Sequence, residues 1–230
     1  MSIPGVPNSP SGMPMRRQVK RDTTEFEDYL SGQSYVAHVS FAFRSGLDGH
    51  NYESEPDAFA DWIRDHLFLE SIDLRGIEPT KDEVLIKIGK GLAGNRSIAC
   101  LNFTHNNLGQ KDVRGFLLAL AENVSIWRLE LHKNQIDVNG AKAIAEFMRE
   151  NVGVTHLNLS HNPLIGEEGA RHILEAFAEN GSIYVMKLAG CNCGEELLAA
   201  INRCCRRNRA AVAYKMEADA PQENKRTGGS

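Results

Sequence analysis

The sequence has little of what marks secreted, membrane-spanning or strongly charged proteins. No apolar run approaches the roughly 20 residues that cross a bilayer, and residues 1–21 contain no hydrophobic core of the kind found in signal peptides. The net charge of −4 gives no general attraction to polyanions or to anionic lipid. We therefore expect neither a nucleic acid nor a membrane as a partner.

The cysteines are too few and too irregular for a disulfide framework. There are five, an odd number, and no spacing among them suggests regular pairing. Thiols that stay reduced predict a cytosolic or nuclear compartment. The first 21 residues hold four prolines, four basic residues and no acidic residue, which predicts a disordered basic tail. A mitochondrial presequence is the alternative for this segment, although the prolines interrupt any amphipathic helix.

What the sequence does have is a repeat. Residues 98–108 read IACLNFTHNNL, residues 126–136 read IWRLELHKNQI, and residues 154–164 read VTHLNLSHNPL, each stretch starting 28 residues after the one before. Each stretch leads into a segment with apolar residues at helical spacing. A unit this short cannot bury its own apolar face, so the units must stack into a solenoid.

The register of the repeat predicts which strand residues are buried. Residues two apart share a face of a strand, so three apolar pairs should point into the core: Leu101 and Phe103, Leu129 and Leu131, Leu157 and Leu159. The asparagine that follows each pair should bond backbone groups where the chain leaves the strand. A second asparagine, at 123, 151 and 180, follows each helix and suggests a left-handed cap.

The repeats define the predicted domain boundaries. A divergent earlier repeat starts at Leu69, and a last repeat starts at Ile183 and ends with a helix over 195–206. About five repeats therefore occupy residues 67–209. Residues 22–66 do not fit the pattern and are predicted to form an N-terminal cap, in which Phe59, Trp62 and Ile63 cover the open end of the solenoid. Residues 210–230 are predicted to be a flexible tail.

The recurring Leu–x–apolar–x–x–Asn motif and the full helix in each unit resemble leucine-rich repeats of the ribonuclease-inhibitor type. The style of the repeats is also similar to that of tropomodulin-type actin cappers, Ran GTPase activators and flagellar repeat proteins. The resemblance implies an α/β solenoid, with parallel strands on a concave face and helices on a convex face. It also implies protein recognition as the usual activity.

The outward strand positions give the candidate binding site. They form a polar surface of mixed charge with no aromatic platform, and they are expected either to be simply solvated or to bind a partner. The central patch on this surface comprises Arg128, Glu130, His132, His156 and Asn158. The alternative partner site is a basic cluster on the last helix, Arg203, Arg206, Arg207 and Arg209.

Three patterns that could indicate chemistry have simpler interpretations. Gly89–x–Gly91–x–x–Gly94 matches a dinucleotide-binding string, but it lies late in a helix rather than before one. The cysteines near the end could bind zinc, yet Cys191 occupies the asparagine column and Cys205 aligns with core positions. His132 and His156, near Glu130, could suggest a general base or a metal ligand. We predict no catalytic residue, no metal and no cofactor.

These observations predict a protein that is not an enzyme but a protein-interaction scaffold, acting as a small subunit of a larger assembly in the cytoskeleton or a flagellum. One alternative is a regulator of a small GTPase, and another is a subunit of a mitochondrial complex. The sequence does not identify the protein partner.

Overall fold

The structure is a computed structural model that describes residues 19–20, 38–40, 56–76 and 82–218. Its strands form one parallel sheet in which each strand pairs with its neighbours in sequence. The strands are β1 (Val19–Lys20), β2 (His38–Ser40), β3 (Ser71–Asp73), β4 (Cys100–Asn102), β5 (Arg128–Glu130), β6 (His156–Asn158) and β7 (Val185–Lys187). This order means that the chain advances by one strand with each repeat.

Helices form a second layer beside the sheet. They are α1 (Pro56–Asp65), α2 (Asp82–Gly94), α3 (Gln110–Leu120), α4 (Val138–Glu150), α5 (Gly166–Ala176) and α6 (Glu195–Ala218). Each helix packs against the next along the chain. The two layers confirm the predicted α/β solenoid. Within the described part of the chain, none of these helices is long and apolar enough to cross a membrane.

The core lies between the two layers, where the register of the repeat places it. Leu101 pairs with Leu129, and Leu129 pairs with Leu157, across three neighbouring strands. All three side chains are buried, as are Phe103 and the other predicted inward residues. Because this row runs from repeat to repeat, every unit uses its neighbours to exclude water.

The first asparagine column bonds backbone groups, as predicted. The Asn134 amide nitrogen donates to the backbone oxygens of Phe103 and Leu131, and its Oδ1 accepts from the N–H of Asn106 at 2.9 Å. Asn162 repeats the pattern one unit later. In the last repeat the thiol of Cys191 takes this place and donates to the Leu159 oxygen.

The second asparagine column does not form left-handed caps, contrary to the prediction. Asn151 has an extended backbone, with φ −83° and ψ 128°. Its side chain instead joins two repeats: Nδ2 donates to the Ala121 and Asn123 oxygens, and Oδ1 accepts from the N–H of Val154. Left-handed residues occur after the strands, at His105, Asn107, Lys133, His161 and Asn192.

The N-terminal segment contributes more to the sheet than the sequence predicted. Val19–Lys20 pairs with β2, so the predicted disordered tail over 1–21 includes a short strand. Strand β2 pairs in register with β3. Phe59, Trp62 and Ile63 are buried on α1, as expected for residues that cover the end of the core. The remaining residues before position 56 lie outside the described part, and the 22–66 boundary stays a prediction.

The last helix is longer than predicted. It was expected to end at residue 206 and to be followed by a flexible tail over 210–230, but α6 continues to Ala218. The segment 210–213 reads AAVA, and alanine is the strongest helix former. Residues 219–230 lie outside the described part of the chain.

Candidate protein-interaction surface

The concave face comprises the side chains of β3–β7 that point away from the helices. The strand register aligns them in columns across the sheet, so that Arg128 lies between Cys100 and His156, and Glu130 lies between Asn102 and Asn158. Neighbouring strands are about 4.8 Å apart. Side chains in one column are therefore neighbours, and hydrogen bonds join Arg128, Glu130 and Asn158 of the predicted central patch.

Glu130 is the centre of a hydrogen-bonded network on this face. Its Oε1 accepts from Arg128 Nε at 2.8 Å, and its Oε2 accepts from Asn158 Nδ2 at 2.6 Å. The Glu130 side chain is only 13% exposed, whereas that of Arg128 is 48% exposed. The Arg128 guanidinium is therefore exposed to solvent but fixed in orientation by its bond to Glu130. Glu130 itself is mostly buried and mainly orients Arg128 and Asn158.

His132 joins the same network. The Thr104 hydroxyl donates to Asn102 Oδ1 and lies 3.0 Å from His132 Nδ1. The same Nδ1 lies 3.3 Å from Asn158 Nδ2 and 3.4 Å from Glu130 Oε2, so it faces both an amide donor and a carboxylate acceptor. Burial lowers the pKa of His132, with Glu130 acting in the opposite direction. The net shift favours the neutral ring.

His156, the fifth predicted residue, faces a different group of neighbours. Its ring packs edge-on against Trp127, with ring centroids 4.9 Å apart, and against Tyr184, at 5.0 Å. Trp127 is 40% exposed. An aromatic row thus borders the concave face, because Trp127 and Tyr184 each lie just before a strand. The outward strand positions themselves supply only the His156 ring to this row.

This aromatic row was missed because only some repeats supply it. Trp127 and Tyr184 each occupy the position just before a strand, and the repeat between them has Thr155 there. The two aromatic residues in this column were the sequence signal that could have predicted the row. The contact depends on His156, which bridges the gap between the two rings.

Positive charge surrounds the aromatic row. The pKa of His156 is lowered first by burial and then by Arg128, Arg209 and Lys187, while Glu130 opposes them. Arg209 belongs to α6, the helix of the alternative site. Tyr184 and Arg209 also line one groove, so the two surfaces that the sequence offered as competitors meet at one corner of the solenoid.

The members of the basic cluster have different roles. Arg206 and Arg209 border a groove between α6 and β7, and Arg203 is exposed on the same helix. Arg207 instead donates to the backbone oxygens of Phe177 and Asn180. Arg207 is thus committed to holding α6 on the preceding repeat.

The motifs with simpler interpretations lie where the sequence placed them. The glycine string lies within α2, where a Cβ on Gly91 would collide with the Ala60 oxygen of α1 and a Cβ on Gly89 would approach Ala119 of α3 at 2.9 Å. Burial raises the pKa of Cys205 to about 11. Among the described residues, no cluster of three or more potential metal ligands occurs. Absence of a metal or cofactor stays a prediction.

Known proteins share this architecture. A leucine-rich repeat family model matches residues 151–174. The fold is similar to the actin-binding site 2 structure of leiomodin-1, with a TM-score of 0.64 and 16% identity over 74% of this chain and 96% of that one. It is also similar to the tropomodulin C-terminal domain of Caenorhabditis elegans, with a TM-score of 0.61 and 12% identity over 72% of this chain and 99% of that one.

The repeat, the sheet and these likenesses together define the class. The protein has a leucine-rich repeat fold of the type seen in tropomodulin and leiomodin domains. At such low sequence identity the likeness shows a shared fold and nothing beyond it.

Proposed function

We propose that this protein is a non-enzymatic interaction scaffold that binds a cytoskeletal protein through its concave face, as a small subunit of a larger assembly. The fold supports binding because it presents a broad, rigid row of side chains. The two similar structures favour a cytoskeletal setting, since one is described as an actin-binding site and the other belongs to tropomodulin. The larger assembly that we propose is either cytoskeletal or flagellar.

The observation that carries the proposal is the ordered network around Glu130. Arg128 and Asn158 are both hydrogen-bonded to this carboxylate before any partner arrives. Side chains that are already oriented lose less conformational freedom on binding, so more of the contact energy appears as affinity. Charged and polar groups of both signs suit specific registration of a partner.

The chemistry of the face is consistent with binding rather than catalysis. Burial raises the pKa of the Cys100 thiol, which disfavours a thiolate nucleophile. The two other settings, a regulator of a small GTPase and a subunit of a mitochondrial complex, gain no support from a feature of the described residues.

Sedimentation with actin filaments, together with affinity purification and mass spectrometry, tests the proposal. We expect Arg128→Ala to weaken capture of the partner about tenfold, the range of an interface hot spot, with little change in thermal stability because Glu130 keeps its bond from Asn158. Arg114→Ala is the matched control, since Arg114 is an exposed arginine on α3. Equal capture by both variants would contradict the concave-face assignment.

A further inference from the structure

We infer that the groove between β7 and α6 binds an acidic segment of a partner protein, with an apolar side chain of that segment in the groove and its carboxylates on the arginines. This inference rests on the proposed function and adds the chemistry of the partner. It also joins the concave face and the basic cluster at the end of the solenoid into one binding surface, whereas the sequence analysis offered them as alternative sites.

The groove has an apolar floor and a basic rim. Its volume is about 470 Å³, and its lining includes Met186, Cys205, Tyr184, Asn202, Arg206 and Arg209. Met186 and Cys205 are 8% and 6% exposed, so they form the floor. The lining residues of α6 recur at spacings of three and four, which places them on one side of the helix.

Charge selects the occupant. Two exposed guanidinium groups border the groove, and none of the described lining residues is acidic. Lys187 and Arg128 extend the positive region along the strands. Glu130 opposes these cations at His156, and its carboxylate is already bonded to Arg128 and Asn158. Carboxylates from a partner would form ion pairs with Arg206 and Arg209, because guanidinium groups favour planar, bidentate contacts with carboxylates.

The aromatic row provides the anchor beside these charges. Tyr184 borders the groove and packs on His156, which in turn packs on the exposed Trp127. Tryptophan, tyrosine and arginine are the residue types enriched at the energetic centres of interfaces. Rings already fixed by each other lose little freedom on binding. A purely acidic ligand would leave this apolar surface unused, so the segment should carry both features.

The test is selection of random linear peptides displayed on phage against the full-length protein, followed by fluorescence anisotropy with the selected peptides. We expect a consensus that combines Asp or Glu with an aromatic or large aliphatic residue. Arg206→Glu/Arg209→Glu should weaken its binding about tenfold or more, and raising the salt concentration should also weaken it, because exposed charges are screened. Tyr184→Ala should weaken it, and Tyr184→Phe should not.

Arg203→Glu/Lys215→Glu is the matched control, because it reverses the same number of charges on exposed positions of α6 that do not border the groove. Equal losses in both double variants would show general charge attraction and overturn the inference. The inference would also be overturned if the selected peptides shared no acidic residue. It would likewise be overturned if an oligonucleotide bound as tightly as the selected peptides and its binding depended on the same arginines. If the groove fails but Arg128→Ala still weakens partner capture, the proposed function stands alone. If both fail, both are wrong.

Discussion

The guanidinium of Arg207 donates to the backbone oxygen of Phe177 at 2.7 Å. The equivalent oxygen one repeat earlier, that of Met148, accepts from Asn180 at the same distance. Next to Arg207, the Asn208 amide donates to the oxygens of Asn180 and Ile183, as the Ser182 hydroxyl does to Asn151 and Val154. The final helix therefore supplies the bonds that a further repeat would have made.

Loss of this terminal cap should destabilise the protein. Asn208 is 2% exposed, so Asn208→Ala leaves the Ile183 oxygen without the donor that Asn208 supplies and the Asn180 oxygen with only the 3.3 Å bond from Arg207. We expect the free energy of unfolding to fall by about 1–3 kcal/mol, the cost of buried polar groups left unpaired. Urea denaturation measures it, with Asn202→Ala as the control because Asn202 is an exposed asparagine of the same helix. An equal effect of the two substitutions would show that Asn208 does not cap the array.

This cap explains one limit of sequence reasoning. The asparagine columns could be predicted, because the same residue recurs at the same place in successive turns. The roles of Arg207 and Asn208 could not be predicted. These two helical residues make the backbone bonds that an asparagine and a serine make in the preceding repeat. The aromatic row was hidden for a related reason: Trp127 and Tyr184 touch a common histidine but occupy repeats that are not adjacent. Sequence periodicity reports what repeats, whereas these contacts depend on exceptions to the repeat.

The close packing of α1 against α2 yields a second prediction. A Cβ on Gly91 would overlap the backbone oxygen of Ala60, which cannot move without shifting α1. We expect Gly91→Ala to cost roughly 1–3 kcal/mol of stability, as overpacking does, although alanine favours helices elsewhere. Thermal denaturation checks this, with Gly181→Ala as the control because nothing lies within 4 Å of its Cβ position. A stabilised Gly91→Ala protein would contradict the close approach.

The third prediction is that His66 makes the stability of the first repeat depend on pH. It occupies the position of Asn95 one unit earlier, and its Nδ1 accepts from the N–H of Phe68 at 3.4 Å. This bond requires the neutral ring, and burial lowers the pKa of His66 below its ordinary value of 6.5. The unfolded chain therefore binds the proton more readily than the folded one. The contribution of His66 is complete above the unfolded pKa and is lost as the pH falls through the folded pKa.

We expect His66→Asn to reduce this dependence, because asparagine fills the same position in the following repeats and has no proton to gain. The loss of unfolding free energy between about pH 7.5 and about pH 5 should be smaller in the variant than in the wild type. His105→Asn is the control, since His105 is exposed. Paired urea titrations at both pH values supply the measurement. Parallel pH profiles for wild type and His66→Asn would mean that protonation of His66 is not linked to folding, and the pH sensitivity would then belong to another group such as His132.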